Sequence, residues 1–199
     1  MPSSCKPFLY LASASPRRRE ILKKAGIRFK RVFSSYQEKA IPHLGPSRLV
    51  IFHARQKALH AKAPASGLVL AADTIVCCRG KIFGKPKDKR EAFERLWFLS
   101  GRAHFVYTGI ALLDLKTGRM KLAYEKTKVF IRRLSRPEIE KYFMKVNPLD
   151  KAGAYAIQMK PKIVEQIKGS YSNVVGLPLE KLKKILQTAG FRPQARSRK

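Results

Sequence analysis

Asp73 interrupts the apolar run Leu68-Val69-Leu70-Ala71-Ala72-Asp73-Thr74-Ile75-Val76, and no other acid falls between Glu38 and Asp88. A lone carboxylate inside a strand is costly. Burial without a partner raises its pKa, so such a residue is ordinarily matched to a cation, a metal or a catalytic task. The bland alternative is a strand-end Asp bonded to nearby backbone N–H groups. A second cluster, Ser13-Ala14-Ser15-Pro16-Arg17-Arg18-Arg19, sets hydroxyls and three Arg at the entrance to a helix. Free N–H groups and the helix dipole favour an anion there, and Arg adds forked phosphate donors. A capped helix with solvated Arg explains the same residues without chemistry.

Gly84-Lys85-Pro86 offers an ammonium on a rigid loop, but the order G-x-x-x-x-G-K-[ST] of a P-loop is missing, which rules out a Walker site. The stretch Gly169-Ser170-Tyr171-Ser172-Asn173 before Pro178 reads either as a phosphate or ribose cradle or as a structural turn. The four His, at 43, 53, 60 and 104, form no HExxH or i,i+4 pair, which argues against a transition metal. Hard oxygen ligands such as Asp73 and Glu38 suit Mg²⁺, which keeps several waters and bridges to substrate phosphates.

These residues need a scaffold, and the pattern along the chain supplies one. Phe8 to Ala12 reads as a strand, Ser15 caps a helix with Pro16 at its first position, and Gly26 ends it. A second strand is expected around Phe29 to Phe33, and an amphipathic helix from Pro46 to Lys62. After the Asp73 strand, Cys77 to Gly80 turns into Lys81-Ile82-Phe83. Asp88 with Glu91 opens a helix that Ser100-Gly101 closes, and Ser135 with Glu138 opens another. His104 to Asp114 and Met120 to Leu134 flank a hairpin turn, Ile163 to Ile167 is a short strand, and Pro178 to Ala189 a last helix. About six strands and five helices in this order predict an α/β fold with a mixed central sheet and flanking helices.

Composition sets bounds on function. The 199 residues contain 43 Lys plus Arg against 13 Asp plus Glu, a formal charge of +30. Hydrophobic residues at 45%, with twelve Gly and twelve Pro, exclude collagen-like and wholly disordered readings. A chain of this size buries roughly 70% of its unfolded surface, enough for one core. One domain over residues 1–190 with a basic, mobile tail at 191–199 is expected. Apolar runs fall far short of the roughly 20 residues that span a bilayer. No h-region or cleavage site marks the N-terminus, so the chain reads as cytoplasmic and off the membrane. Cys5, Cys77 and Cys78 form no metal or redox spacing and read as reduced thiols. The charge predicts weak, salt-sensitive affinity for nucleic acid, without any recognised binding motif.

Taken together, the segments resemble the Maf family of nucleoside triphosphate pyrophosphatases, in order from Leu11 to about Leu182. Leu11-Ala12-Ser13-Ala14-Ser15-Pro16-Arg17-Arg18 looks like its LASxSPRR opening and Ala72-Asp73-Thr74-Ile75-Val76 like its ADTxV strand end. Gly84-Lys85-Pro86, Leu99-Ser100-Gly101 with His104 to Gly109, Asp150 to Gln158, and Gly169 to Leu179 match further blocks. The resemblance implies an inosine triphosphate pyrophosphatase-like fold with a deep cleft, often dimeric, and hydrolysis between the α and β phosphorus atoms with Mg²⁺ or Mn²⁺. By match, Asp73 is the proton acceptor that readies water, and Ser13, Arg17 and Lys85 hold phosphates with Lys57 as a further basic contact. Glu38 stands at the family's acidic position near the metal, which Asp73 also faces; Gln37 replaces the commoner Asp beside it. The set Arg17, Thr74 and Gln158 resembles the subgroup acting on dTTP and UTP, and modified pyrimidine triphosphates fall within the same expectation. A competing reading is a basic nucleic-acid-binding or septum-associated regulatory protein that keeps the fold without turnover.

Overall fold

The computed structural model describes residues 7–39 and 41–191. Among them are seven strands and six α-helices, one more of each than the count of about six and five given by the sequence pattern. The strands are β1 (Leu9–Leu11), β2 (Lys30–Arg31), β3 (Leu68–Cys78), β4 (Lys81–Phe83), β5 (Ala103–Asp114), β6 (Met120–Ile131) and β7 (Val164–Lys168). The helices are α1 (Pro16–Lys24), α2 (Pro46–Leu59), α3 (Lys89–Leu99), α4 (Arg136–Lys145), α5 (Tyr171–Val175) and α6 (Leu179–Thr188). The sheet order is β2-β1-β3-β5-β6-β7, with β4 paired to the far end of β3. Pairings of β1 with β2 and β3 are parallel and the rest antiparallel, so the sheet is mixed and open, as the order of elements requires.

Several boundaries differ from expectation. β3 runs through Cys78, because β4 pairs with Val76, Cys77 and Cys78 and leaves only Arg79 and Gly80 in the turn. β2 is two residues long, and α5 is an unanticipated helix of five. Phe191, assigned above to the tail, is 8% exposed and packs with Leu182 and Leu186, so the fold includes it. The expected tail at 192–199 lies outside the described residues. Cys77 and Cys78 are free thiols. Among the described residues no helix is long and apolar enough to cross a membrane.

The two-residue period of β3 and β5 assigns the layers. Val69, Ala71, Ala111 and Leu113 face α2 and bury Ala54 and Ala58. The opposite face carries two apolar clusters: Leu68, Leu70 and Ala72 with α1 and α6, and Val76, Val106 and Val129 with α3 and α4. Between these clusters runs a buried polar belt of Thr108, Thr127 and Asn173, which the half-buried Thr74 joins through Thr108. Burying the two apolar clusters and the α2 layer supplies the main drive to fold, at roughly 25 cal/mol per Å² of apolar surface. Gly109 sets how close α2 comes. A Cβ there would stand 2.3 Å from the Val50 carbonyl oxygen, so only glycine lets the helix rest on β5.

β1 is short, and this opens the fold. It accompanies β3 only from Leu68 to Leu70, and after Ala12 the chain turns away into α1. From Ala71 to Ile75, before β4 takes up the same edge at Val76, β3 is uncovered, and the cleft forms beside it, at the carboxyl end of β1, where open α/β sheets bind ligands.

Candidate active site

The cleft has a volume of about 630 Å³. It is lined by Ser13 and Arg17, Glu38, Lys57, Asp73 and Thr74, Lys85, and Gln158, whereas the Gly169–Asn173 stretch contributes no lining residue. The structure therefore brings together all the predicted site residues, across 145 positions of sequence from Ser13 to Gln158.

Asp73 and Thr74 are adjacent on β3 and so face opposite sides of the sheet. Asp73 is 3% exposed and points toward α2, where Lys57 Nζ donates to its Oδ1 at 2.6 Å. The same ammonium lies 2.5 Å from Glu38 Oε1. Lys57 sits in the last turn of α2, where the helix dipole favours a cation. Asp73 is thus paired with a cation rather than with backbone N–H groups, which removes the bland reading of this residue. Its Oδ2 is buried and has no protein partner. Burial pushes the Glu38 carboxyl up, but the charge and hydrogen bond of Lys57, with Lys85 and His53 behind them, hold it below the ordinary carboxylate range. Tyr36 completes this wall, its hydroxyl 2.9 Å from His53 Nδ1, and burial ahead of the nearby carboxylates raises its pKa.

The Thr74 side is built around Arg18, which the sequence reading did not separate from its neighbours. Its Nη2 donates to Thr74 Oγ1 at 3.0 Å, Nη1 to Ser13 Oγ at 3.0 Å and Nε to the Gly176 carbonyl at 2.8 Å. One guanidinium thereby fixes the β1–α1 loop, the middle of β3 and the end of α5 relative to one another. Burial lowers its pKa, against the opposing pull of Asp73 and Glu38. Gly176 meets Arg18 from φ +122, a backbone conformation open to glycine. Thr74 Oγ1 also lies 3.0 Å from Thr108 Oγ1, so it reaches the cleft already oriented.

Arg17 comes one residue earlier on α1, about 100° around the helix, and reaches the other wall. Its Nη1 lies 2.7 Å from Asp150 Oδ2, and its Nη2 donates to the Asp150 carbonyl at 2.9 Å. Lys151 Nζ holds the other carboxylate oxygen at 2.5 Å. Burial raises the Asp150 pKa, but hydrogen bonds and charge from Lys151 and Arg17 bring it below the ordinary value. Two cations in the first turn of α1 oppose the helix dipole, which leaves this corner strongly attractive to anions. Ser15 caps the helix and Ser13 Oγ accepts from Ser15 N at 3.2 Å. Across the cleft, Lys85 rides on a loop tied down by Arg95 Nη1 and Gly153 N, both donating to the Gly84 carbonyl.

Gln158 follows a segment held by two buried tyrosines. Tyr142 hydroxyl accepts from Ala156 N at 2.9 Å and donates to its carbonyl at 3.2 Å. Tyr155 hydroxyl lies 2.7 Å from His104 Nε2. Burial raises the Tyr142 pKa to about 12 and lowers that of His104 to about 4, so both are neutral at pH 7. His104 braces the wall through Tyr155.

A family model described as Maf-like protein matches residues 8–189. The chain belongs to the Maf-like protein family. It is 45% identical over 185 residues to a dTTP/UTP pyrophosphatase of Methanosarcina barkeri, covering 92% of this chain and 94% of that one. Identity is 44% to a dTTP/UTP pyrophosphatase of Carboxydothermus hydrogenoformans, over 92% of this chain and 99% of the relative. A dTTP/UTP pyrophosphatase of Caldanaerobacter subterraneus is 46% identical, over 90% and 87% of the two chains. The residues of this Maf-like chain that sequence reasoning missed are Arg18, Tyr36, Asp150, Lys151 and Tyr155. All of these but Tyr36 stood inside quoted motif blocks, and what was missing was the pairing that only the fold reveals.

The residues present fit a divalent cation only in part on their own. Among the described residues no group of three or more His, Cys, Asp or Glu could hold a metal. Two carboxylates within hydrogen-bond reach of one ammonium, one with a free buried oxygen, are nonetheless the sparse donor set Mg²⁺ uses when phosphates supply further ligands.

Proposed function

We propose that this chain hydrolyses nucleoside triphosphates, dTTP and UTP in particular, to the monophosphate and pyrophosphate. The observation that carries the reading is the free Oδ2 of Asp73, buried at the side of a cleft whose other walls present Arg17, Lys85 and the Ser13 hydroxyl. The names of the relatives support the choice of nucleotides.

In this reading Oδ2 orients a water and accepts its proton, while Lys57 holds Oδ1 and fixes the direction of the carboxylate. Arg17 and Lys85 stabilise charge that builds on phosphate oxygens during attack, a role for which preorganised donors are effective. The Asp150 carboxylate takes the place on Arg17 that a phosphate would take in the bound state. Gln158 reads the base: an amide donates to one pyrimidine carbonyl and accepts from N3–H. Thr74, braced by Arg18 and Thr108, lines the same cleft as the second specificity residue. Glu38 and Asp73 would hold Mg²⁺ or Mn²⁺ together with substrate oxygens. Such a cation, when bound, draws negative charge from the phosphates. Modified pyrimidine triphosphates with the same base edge fall in the same substrate class. A cytoplasmic homodimer belongs to the reading as well, on the family resemblance.

Product analysis tests it. With a divalent cation, dTTP should give dTMP and pyrophosphate, with no orthophosphate in the first turnovers. Release of orthophosphate and dTDP, or no product at all, would refute the assignment.

A further inference from the structure

On the α2 side of the sheet, the helix covers β3 and β5 but leaves an adjoining face of β6 and β7 open. Residues directly opposite in antiparallel strands share a face. Tyr124, Lys126 and Lys128 therefore point to the α2 side, opposite Gly109, Tyr107 and Phe105. All three are exposed, Tyr124 by 41%. Lys126 Nζ sits 4.0 Å from the centroid of Phe105 and 5.6 Å from that of Tyr107. Lys168 on β7 extends the row and lies directly opposite Lys128. Rings and ammonium groups thus interleave on a rigid surface, and no carboxylate belongs to this set.

The Lys128–Lys168 placement costs stability by itself, because like charges directly opposite on neighbouring strands repel. An anion between them would convert that cost into attraction. Lysines two positions apart on a strand are roughly 7 Å apart, comparable to successive phosphates on an extended single strand. Tyr124 is the exposed ring of the set, while Phe105 and Tyr107 are half-buried; an exposed aromatic face beside a cationic track is the combination by which sheets bind single strands, through stacking and backbone charge. An anionic bilayer would instead favour an amphipathic helix with an apolar face to insert. A second copy of the chain would set lysines against lysines.

We infer that the open β6–β7 face, with Tyr124, Lys126, Lys128 and Lys168, binds single-stranded nucleic acid without sequence preference, apart from the cleft. This binding is independent of the pyrophosphatase reading, and gives part of the +30 charge a location.

Fluorescence anisotropy with labelled oligothymidylate and oligoadenylate tests this on the full chain. Both should bind, the complex should survive excess dTTP, and affinity should fall with salt. The triple variant K126E/K128E/K168E should bind at least about tenfold more weakly, with the log–log salt slope reduced by about 2. Its pyrophosphate release should be unchanged, which also shows that the fold survives. The milder Tyr124→Ala should weaken binding without altering the salt slope. Displacement by dTTP, wild-type affinity in the folded triple variant, or loss of binding only on deletion of residues 192–199 would overturn the proposal. Binding to phosphatidylserine vesicles but not to oligonucleotide, or a dimer-to-monomer shift in the triple variant with no change in anisotropy, would do the same.

Discussion

Lys57 Nζ lies 2.6 Å from Oδ1 of Asp73, and this contact sets the direction of the carboxylate. The partners are 14% and 4% exposed, so water screens them little. Removing one side of such a pair leaves an uncompensated charge, typically at a cost of 3–5 kcal/mol. Lys57→Met should therefore lower unfolding free energy in urea by about 4 kcal/mol, and Lys57→Met/Asp73→Asn should recover part of the loss. A double-variant loss equal to the sum of the Lys57→Met and Asp73→Asn losses would show that the two side chains are not coupled.

His104 predicts a pH signature. Its pKa falls from 6.5 to about 4 on folding, chiefly through burial, so between these values the unfolded chain binds more protons than the native one. Stability then rises with pH in that window, is complete above about 6.5, and declines as pH drops toward 4. The full contribution is about 3 kcal/mol. Urea melts of wild type and His104→Gln across the window should show the slope in the first and a flatter dependence in the second. Identical slopes would mean that His104 is not the titrating group.

Much of this architecture is legible in the sequence because it is encoded locally. Asp88 caps α3 through Glu91 N, and Ser135 with Glu138 forms the capping box of α4, each within four residues. The strand that carries Asp73 is recognisable from composition alone. α5 escaped because five residues hold too little periodicity, and its stability comes from Asn173, which donates to Val106 and Thr127 on distant strands. The site divides in the same way. Its motif residues were visible, yet Arg17 to Asp150 spans 133 positions and Arg18 to Gly176 spans 158. No local pattern could show that neighbouring arginines serve opposite walls.

Gly109 is where fold and site meet. It lies directly opposite Asp73 in the β3–β5 ladder, and its missing side chain admits the α2 backbone that brings Lys57 to the carboxylate. The obstacle to a larger residue is backbone, which cannot rotate away. Gly109→Ala should destabilise by about 3 kcal/mol or more, and residual folded protein should turn over more slowly because Lys57 is displaced. Wild-type stability in thermal melts would contradict the close approach of α2.

Asp73→Asn keeps the shape of the side chain and removes the proton acceptor. Pyrophosphate release from dTTP and UTP with Mg²⁺, compared between wild type and Asp73→Asn at matched circular dichroism, tests the central claim most directly. The account predicts steady release by the wild type and a loss of at least about a hundredfold in the variant, the lower range for removing a positioned acid–base group. Comparable rates in the two proteins, or no release by the wild type, would contradict it.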